Sequence, residues 1–252
     1  MRTEKFCING RTGCSVSYFS TLDSTNKYLK VLADNGAPSW TVIIADGQTG
    51  GYGRYGRAFD SKGNCGLYMS VLIRNDVIFD PATLTPTAAV ATAIPIERLS
   101  GSSVSIKWVN DLLINRLKVC GILTEASSQG GKLEYAIVGI GVNIGGRTNG
   151  FPEELKGIAG TVFEKYTEDV RNALAREILT ELEGLIFGDS DKIYSEYRKR
   201  LAYVSENVRV IKSSLEYDGV VLGLDPDFRL VVRLEDGRTE RLFSGEIAIK
   251  AK

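Results

Sequence analysis

Residues 51–56 read GYGRYG and match GxGxxG, the glycine pattern of dinucleotide-binding βαβ folds. That pattern requires a helix immediately after the last glycine, because the helix N-terminus binds the pyrophosphate. Here residues 57–64 read RAFDSKGN, which predicts more loop, and a strand begins only at Leu67. There is no βαβ unit, so a dinucleotide site of this kind is rejected. A P-loop is rejected as well, because no Gly-Lys-Ser/Thr follows the glycines.

The glycines belong to a loop that covers residues 46–66 and carries Arg54 and Arg57. Glycines let the backbone approach a ligand closely and expose N–H donors to an anion. Arginines add forked and permanently charged donors. Loops of this length are usually functional or disordered, so the alternative is a solvated surface loop without a ligand.

A second group of polar residues lies in two predicted strands. Residues 107–111 read KWVND, and residues 117–123 read LKVCGIL. Two lysines, an amide and a carboxylate thus fall close together in segments that are otherwise apolar. Buried lysines are rare unless they serve a partner, although either lysine alone could extend its ammonium group to solvent.

The rest of the chain predicts strands and helices in separate blocks. Strands are predicted at 16–22, 41–45, 67–73, 104–108, 112–114, 119–126 and 133–144. Helices are predicted between the capping run 23–26 and Gly36, within 81–99, along 170–185 and at 192–201. Pro95 should bend or break the last turn of the second helix. Five short strands at 208–211, 217–224, 230–234, 239–243 and 247–249 predict a small barrel.

These blocks predict a mixed α+β domain at residues 1–203 and a small all-β domain at 204–252. The chain has 252 residues, of which 43% are hydrophobic and 25% are charged, as in ordinary globular proteins. Its 31 basic and 31 acidic residues cancel, so no overall field favours nucleic acid or an anionic membrane. Histidine is absent, which excludes the Ser-His-Asp and Cys-His nucleophile systems and the commonest metal ligand.

The cysteines and the N-terminus indicate a cellular compartment. Cys7, Cys14, Cys65 and Cys120 form no CxxC pair, and free thiols suit a reducing environment. Residues 1–16 mix charged and polar groups without the apolar stretch of a signal peptide. No run approaches the length of a membrane span. We therefore expect a cytoplasmic protein.

Six motifs in order resemble those of the biotin protein ligase family, over nearly the whole chain from about Ser20. Residues 23–26, DSTN, resemble the start of the family's STN helix. Residues 45–59 resemble its AxxQTxGRGRxGRxW loop. Residues 107–111 are similar to KWPND, and residues 117–123 to RKLAGIL. Residues 139–143, GIGVN, and 244–246, SGE, follow the last two motifs. The family implies a mixed sheet with flanking helices and a small C-terminal SH3-like β-barrel.

The resemblance also implies a reaction and its substrates. Biotin and ATP would form biotinyl-5'-AMP with Mg²⁺, and the biotin would then pass to a lysine of a biotin carboxyl carrier protein. Catalytic roles would fall to Lys118, Lys107, Arg57 and Asp111, with Asp111 as the metal ligand. Residues implied to bind biotin are Ser24, Thr25, Asn26, Gln48, Gly51, Tyr52, Gly53, Arg54, Lys118 and Gly121. Residues implied to bind ATP are Arg54, Arg57, Phe59, Lys107, Asn110, Asp111 and Asn143.

The implied chemistry suits these residue types. A carboxylate becomes an acyl donor only after activation, here as a mixed anhydride with AMP. Lysines and arginines neutralise the anions that this step brings together, and they stabilise charge that develops at the α-phosphate. No enzyme nucleophile is required, in agreement with the absence of histidine. Two alternatives stay open for the group that deprotonates the carrier lysine: Asp111 and solvent.

Two positions depart from the family pattern. Tyr52 occupies a position where the family usually has arginine, and Phe59 one where it usually has tryptophan. Loss of a fixed charge beside the adenylate predicts weaker retention of the intermediate.

Other functions were weighed against this one. Lipoate protein ligase requires a histidine-aspartate pair, which this chain lacks. A DNA-binding role is not expected, because the catalytic-type motifs begin near residue 20 and leave no room for a helix-turn-helix domain. A non-catalytic biotin or adenylate sensor with a disabled loop stays open because of Tyr52, as does a homodimer that pairs through its sheets.

Overall fold

A computed structural model describes residues 2–9, 12–77, 80–212, 215–243 and 246–249 of the chain. The larger sheet contains β1 (Arg2–Ile8), β2 (Thr12–Leu22), β3 (Thr41–Gln48), β4 (Gly66–Arg74), β5 (Ser105–Lys107), β6 (Asp111–Ile114), β7 (Leu117–Gln129) and β8 (Lys132–Asn143). The helices are α1 (Thr25–Asp34), α2 (Leu84–Ser100), α3 (Glu168–Ile186) and α4 (Ser190–Lys199). The C-terminal strands are β9 (Asn207–Lys212), β10 (Leu215–Leu224), β11 (Leu230–Leu234), β12 (Thr239–Leu242) and β13 (Glu246–Ile249).

The larger sheet is mixed, with the strand order β1-β2-β3-β4-β8-β7-β6-β5. β2 and β3 are parallel and are joined by α1, so the chain does contain a βαβ unit, contrary to the expectation from sequence. That unit precedes the glycine loop. The loop itself leads from β3 into β4, which pairs with β3 in the antiparallel sense. The rejection of a dinucleotide site after GxGxxG is therefore unaffected.

Helices cover both faces of the sheet, but unequally. Residues of α2, α3 and α4 join the main hydrophobic core, together with alternate residues of the central strands. On the opposite face α1 packs Leu29 and Ala33 against Ile43, Leu72 and Ile137 of β3, β4 and β8. This second core is small. Beyond α1 the same face is covered by the glycine loop, and the candidate site lies there.

The helices begin at capping residues. Ser24 is the N-cap of α1 and accepts a hydrogen bond from the Lys27 N–H, and Thr167 accepts one from the Val170 N–H at the start of α3. The predicted break at Pro95 is wrong, because α2 continues through it to Ser100. Pro95 is itself buried, and packing of the surrounding alanine-rich helix outweighs the loss of one backbone hydrogen bond.

The C-terminal strands form a separate antiparallel sheet with the order β12-β11-β10-β9-β13, as expected for a small SH3-like unit. Phe228, in the turn between β10 and β11, packs edge-on against Tyr194 and Tyr197 of α4. Its carbonyl oxygen accepts a hydrogen bond from Trp108 Nε1 at 2.9 Å. The unit is thereby attached beside the KWVND segment. The boundary between residues 203 and 204 stays a prediction, and Ser244 and Gly245 of the SGE motif lie outside the described residues.

Two further findings concern the ends of the fold. β1 was not predicted, and it adds an edge strand that pairs with the first half of β2. Among the described residues, no helix combines the length and apolar character needed to span a membrane.

Candidate active site

A cavity crosses the face of the larger sheet from β3 and α1 at one end to β5 and β6 at the other. It contains most of the residues that the sequence singled out, although these are spread over 98 positions between Ser24 and Gly121. Gly51 and Asn143 do not line it. The predicted residues that line it are Ser24, Thr25, Asn26, Gln48, Tyr52, Gly53, Arg54, Arg57, Phe59, Lys107, Asn110, Asp111, Lys118 and Gly121.

Residues 51–59 form a small hairpin over this cavity, which we call the glycine hairpin. The Phe59 N–H donates to the Gly51 carbonyl at 2.9 Å, and the Gly53 N–H donates to the Arg57 carbonyl at 2.8 Å. The turn at its tip includes Tyr55 at φ 57°, in the left-handed region. Gly51 has no room for a side chain, since a Cβ there would lie 2.5 Å from Ser61 Oγ. The hairpin places Arg54 and Arg57 above the sheet.

The KWVND segment forms the turn between β5 and β6. Lys107 and Asp111 are directly opposite each other in this pair, so their side chains emerge on the same face of the sheet. Asn110 is fixed to β7 by hydrogen bonds in both directions, from its Nδ2 to the Ile122 carbonyl and from the Ile122 N–H to its own carbonyl, each 2.9 Å. Its Oδ1 accepts from Arg54 at 3.1 Å, which joins the glycine hairpin to this turn.

A β-bulge in β7 directs Lys118 into the cavity. Cys120 pairs with Leu112 and Lys118 pairs with Leu113, so Val119 is an extra residue with no partner on β6. The bulge reverses the alternation, and Lys118 therefore shares a face with Gly121 and Asp111. Val119 and Cys120 are buried in the core behind it.

The backbone of Lys118 is held by three hydrogen bonds. Its N–H donates to the Ile158 carbonyl at 2.8 Å, and its carbonyl accepts from the Gly160 N–H at 2.9 Å. Asn143 Nδ2 reaches the same carbonyl at 3.4 Å and is 5% exposed. Asn143 was predicted to bind ATP, but in this structure its side chain does not line the cavity and contacts the backbone carbonyl of Lys118.

Lys118 and Asp111 form an ion pair, with Nζ 2.7 Å from Oδ1. That oxygen is buried and lies within hydrogen-bonding distance of the ammonium. Four cationic side chains and one carboxylate line this part of the cavity, a composition that favours an anionic ligand. These five residues are Arg54, Arg57, Lys107, Lys118 and Asp111.

The other end of the cavity carries neutral hydrogen-bonding groups. Gln48 Oε1 accepts from the Thr25 N–H at 2.8 Å and from the Thr25 hydroxyl at 3.2 Å, while its Nε2 donates to Ser61 Oγ at 2.9 Å. Ser70 Oγ lies 2.7 Å from Thr25 Oγ1 and 2.6 Å from Asn26 Oδ1. The amides and hydroxyls are therefore already oriented by one another before a ligand arrives.

Glycines on the central strands make room for these groups. A Cβ at Gly139 would lie 2.4 Å from Asn26 Oδ1, and a Cβ at Gly141 would lie 2.6 Å from the Phe59 ring. A Cβ at Gly121 would be 3.2 Å from both Phe59 and Lys118. The glycines of the GIL and GIGVN motifs thus allow side chains from other elements to lie directly on the sheet.

Several residues that contribute to the site were not predicted. Glu125 accepts hydrogen bonds from Asn26 and Tyr52, and Ser70 links Thr25 with Asn26. The period-two alternation of β7 was the available signal for Glu125, because it places Gly121, Leu123 and Glu125 on one face. No local pattern marked Ser70. Further cavity residues outside the prediction are Ala58, Tyr68, Met69, Trp108, Ile122, Leu123, Gly139, Ile140 and Gly141.

The site contains no activated thiol. Burial raises the pKa of Cys120, which lies behind Lys118, well above its usual range, and burial raises the pKa of Cys14 to about 12. Both cysteines are therefore protonated at neutral pH. In the described ranges no three side chains of the His, Cys, Asp and Glu types converge as metal ligands. A cation held by one carboxylate and by phosphates, as Mg²⁺ often is, requires no such cluster, and Asp111 is the carboxylate in the cavity that suits it.

Comparison with known proteins identifies the family. The model of the Biotin/lipoate A/B protein ligase family matches residues 18–143. The chain is 32% identical over 251 residues to the bifunctional ligase/repressor BirA of Bacillus subtilis, covering 94% of this chain and 74% of that protein. It is 27% identical over 237 residues to the biotin–[acetyl-CoA-carboxylase] ligase of Mycobacterium tuberculosis, covering 89% and 85%. A biotin protein ligase from Aquifex aeolicus in complex with biotin and ATP has the same fold, with a TM-score of 0.78 at 24% identity over 94% of this chain and 99% of that one. The chain belongs to the biotin/lipoate A/B protein ligase family.

Proposed function

We propose that this chain is an ATP-dependent biotin protein ligase. In the first step a biotin carboxylate oxygen attacks the α-phosphorus of ATP, pyrophosphate leaves, and biotinyl-5'-AMP forms. In the second step the amine of a carrier lysine attacks the acyl carbon, and AMP leaves. The proposed acceptor is a biotin carboxyl carrier protein, such as that of acetyl-CoA carboxylase.

One observation carries the proposal. A single cavity combines neutral, preoriented hydrogen-bonding groups at one end with four cations and one carboxylate at the other. Biotin has a neutral ureido ring and a carboxylate tail, and ATP is polyanionic. The neutral half of the cavity thus complements the ureido ring, and the cationic half complements the carboxylate and the triphosphate.

The neutral end would bind biotin. The amides and hydroxyls near Gln48 supply both donors and acceptors for the ureido group, and burial strengthens these bonds. The glycine hairpin would cover the ligand, with Gly53 and Tyr52 facing it. The residues proposed to bind biotin here are Ser24, Thr25, Asn26, Gln48, Tyr52 and Gly53, with Gly51 shaping the hairpin.

The cationic end would bind ATP and the reacting carboxylate. Lys118 would contact both the carboxylate and the α-phosphate, because the bulge directs its side chain into the cavity. Lys107, Arg57 and Arg54 would neutralise the phosphates, and the charge developing at phosphorus would be stabilised by these preorganised cations. Phe59 and Asn110 complete the proposed nucleotide site, and Asn143 supports it through the Lys118 carbonyl.

Asp111 would hold Mg²⁺. When bound, the ion would supply positive charge next to the triphosphate. In its absence Lys118 pairs with the same carboxylate. Asp111 would therefore have two partners, Mg²⁺ and Lys118. Both would make it less available as a base for the carrier lysine.

The proposed location is the cytoplasm, since the buried free thiols of Cys14, Cys65 and Cys120 suit a reducing compartment. Roles in DNA binding or at a membrane are not part of the proposal. Pairing of two copies through their sheets stays a prediction.

The decisive experiment is ATP-dependent transfer of radiolabelled biotin to a carrier domain by the wild type and by Lys118→Ala. We expect labelling by the wild type and a loss of at least about 100-fold in Lys118→Ala, the usual effect of removing one preorganised charge donor. Lys132→Ala, at the exposed start of β8, is the matched control and should label normally. Absence of labelling by the wild type, with biotin still bound and no pyrophosphate released, would instead identify a non-catalytic sensor.

A further inference from the structure

Glu125 lies next to the neutral end of the cavity, where it contacts two residues that line it, on two different elements. It is on β7, on the same face as Gly121, and its Oε2 accepts hydrogen bonds from Asn26 Nδ2 at 2.7 Å and from the Tyr52 hydroxyl at 2.8 Å. Asn26 belongs to α1, and Tyr52 belongs to the glycine hairpin. One carboxylate oxygen therefore links the helix beneath the ligand with the hairpin above it.

The contact with Asn26 fixes the direction of its amide. Asn26 is 5% exposed, and its Oδ1 lies 2.6 Å from Ser70 Oγ. Because Glu125 as a carboxylate can only accept, the donor side of the amide must point toward it. Gly139 leaves the space in which this amide lies against the sheet. A changed Asn26 orientation would present the wrong groups to Ser70 and to the neighbouring Thr25.

The contact with Tyr52 fixes the hairpin. Tyr52 forms an isolated antiparallel bridge with Ala58, so its position is coupled to both arms of the hairpin. Burial, followed by the hydrogen bond to Glu125, raises the pKa of Tyr52 well above its usual range, and the hydroxyl stays a donor at neutral pH. At the other end of the cavity the hairpin is held by Arg54 and Asn110. Tyr52 therefore supplies the anchor at the biotin end.

We propose that Glu125 is a positioning residue that couples the orientation of Asn26 to the placement of the glycine hairpin through Tyr52. The proposal rests on the proposed function, since the ligand whose retention it governs is biotin and its adenylate. The neutral Tyr52 hydroxyl, bound to Glu125, anchors the glycine hairpin without placing a further cation beside the ligand.

The test is a double-mutant cycle of Tyr52→Phe and Glu125→Ala, with the dissociation rate of biotinyl-5'-AMP as the main measurement. Tyr52→Phe loses one hydrogen bond to a charged group and should accelerate dissociation about 10-fold. Glu125→Ala should accelerate it further, because Asn26 is released as well. In the Glu125→Ala background, Tyr52→Phe should have no additional effect.

Two further measurements separate positioning from general damage. The KM for biotin should rise in these variants while the KM for ATP changes less than about twofold. Glu125→Gln retains an acceptor oxygen and should recover part of the loss. Tyr28→Phe, on α1 but outside the cavity, removes a hydroxyl without this contact and should match the wild type. Multiplicative effects in the double variant would overturn the coupling, as would unchanged dissociation in Tyr52→Phe.

Hydrogen exchange of the unliganded protein tests the coupling independently of biotin chemistry. Tyr52→Phe and Glu125→Ala should each accelerate exchange of the Gly53 and Phe59 amides, which close the hairpin. Equal exchange in all variants would refute the coupling even if the wild type is an active ligase. Faster exchange in both variants, together with a wild type that forms no adenylate, would support the coupling and refute the proposed function.

Discussion

Lys118 Nζ lies 2.7 Å from Asp111 Oδ1, so the most central cation of the cavity is already paired with its carboxylate. The side chain of Lys118 is 32% exposed and that of Asp111 is 18% exposed. An incoming anion would compete with Asp111 for Lys118, and an incoming cation would compete with Lys118 for Asp111. Under the proposed function, binding of a magnesium–nucleotide complex would exchange the pair for two new contacts, so that neither Lys118 nor Asp111 would lose its partner.

Asp111→Asn removes this charge with little change in shape. If Asp111 holds Mg²⁺, the concentration of Mg²⁺ that gives half-maximal adenylate formation should rise at least about 10-fold, because a neutral amide is a weaker ligand for a hard cation. Pyrophosphate release over a magnesium titration measures this. Glu154→Gln, an exposed carboxylate outside the cavity, is the control. An unchanged magnesium requirement would mean that Asp111 serves only to pair with Lys118.

Tyr52→Arg restores a charge that the family usually has at this position. The guanidinium would lie near Glu125 and the adenylate, and a charge-assisted contact should lengthen the lifetime of bound biotinyl-5'-AMP, by roughly 10-fold. Release of labelled adenylate from the purified complex measures the lifetime. An unchanged lifetime would show that Tyr52 already retains the intermediate as well as arginine does.

Gly141→Ala tests the close approach of Phe59 to the sheet. The added Cβ would lie 2.6 Å from the Phe59 ring and must displace it, together with the end of the glycine hairpin. We expect adenylate formation to fall at least about 10-fold, and overpacking should lower the free energy of unfolding by about 1–3 kcal/mol. Gly13→Ala, also in a strand, meets no atom within 4 Å and should leave both quantities unchanged. Normal activity of Gly141→Ala would show that Phe59 can move without consequence.

Arg171→Ala should destabilise the protein without direct contact with the cavity. The Arg171 side chain is 4% exposed and forms an ion pair with Asp46, near the start of the glycine loop. Because Asp46 is partly exposed and can recover water contacts, we expect a loss of about 2 kcal/mol in the free energy of unfolding. Urea denaturation measures it. Arg98→Ala removes an exposed ion pair and should cost less than about 1 kcal/mol. Equal losses in both variants would contradict this distinction.

Much of the fold could be predicted because its signals are local. The apolar stripe of α3, the capping run before α1 and the alternating strands each appear in a short window of sequence. The site was predicted from motifs, and the sheet brings those motifs into one cavity. The glycine loop was the most informative segment, since the absence of a following helix excluded dinucleotide binding at a helix N-terminus.

The rest depended on tertiary structure. β1 has no apolar periodicity of its own and exists because β2 offers an edge to pair with. Pro95 is accommodated because its helix is buried. Ser70 and Glu125 contribute through partners 45 and 73 residues away, as in the pairs with Thr25 and Tyr52. Such contacts leave no mark on the neighbouring sequence.

Because of the bulge at Val119, the direction of the Lys118 side chain depends on the number of residues in the strand. If Val119 were deleted, strict alternation would return, and the Lys118 ammonium would turn from the cavity into the apolar layer beneath the sheet. Replacing Val119 by isoleucine would leave the direction of the lysine unchanged. In this strand the number of residues between Lys118 and Gly121, and not the side chain at position 119, sets the direction of the lysine.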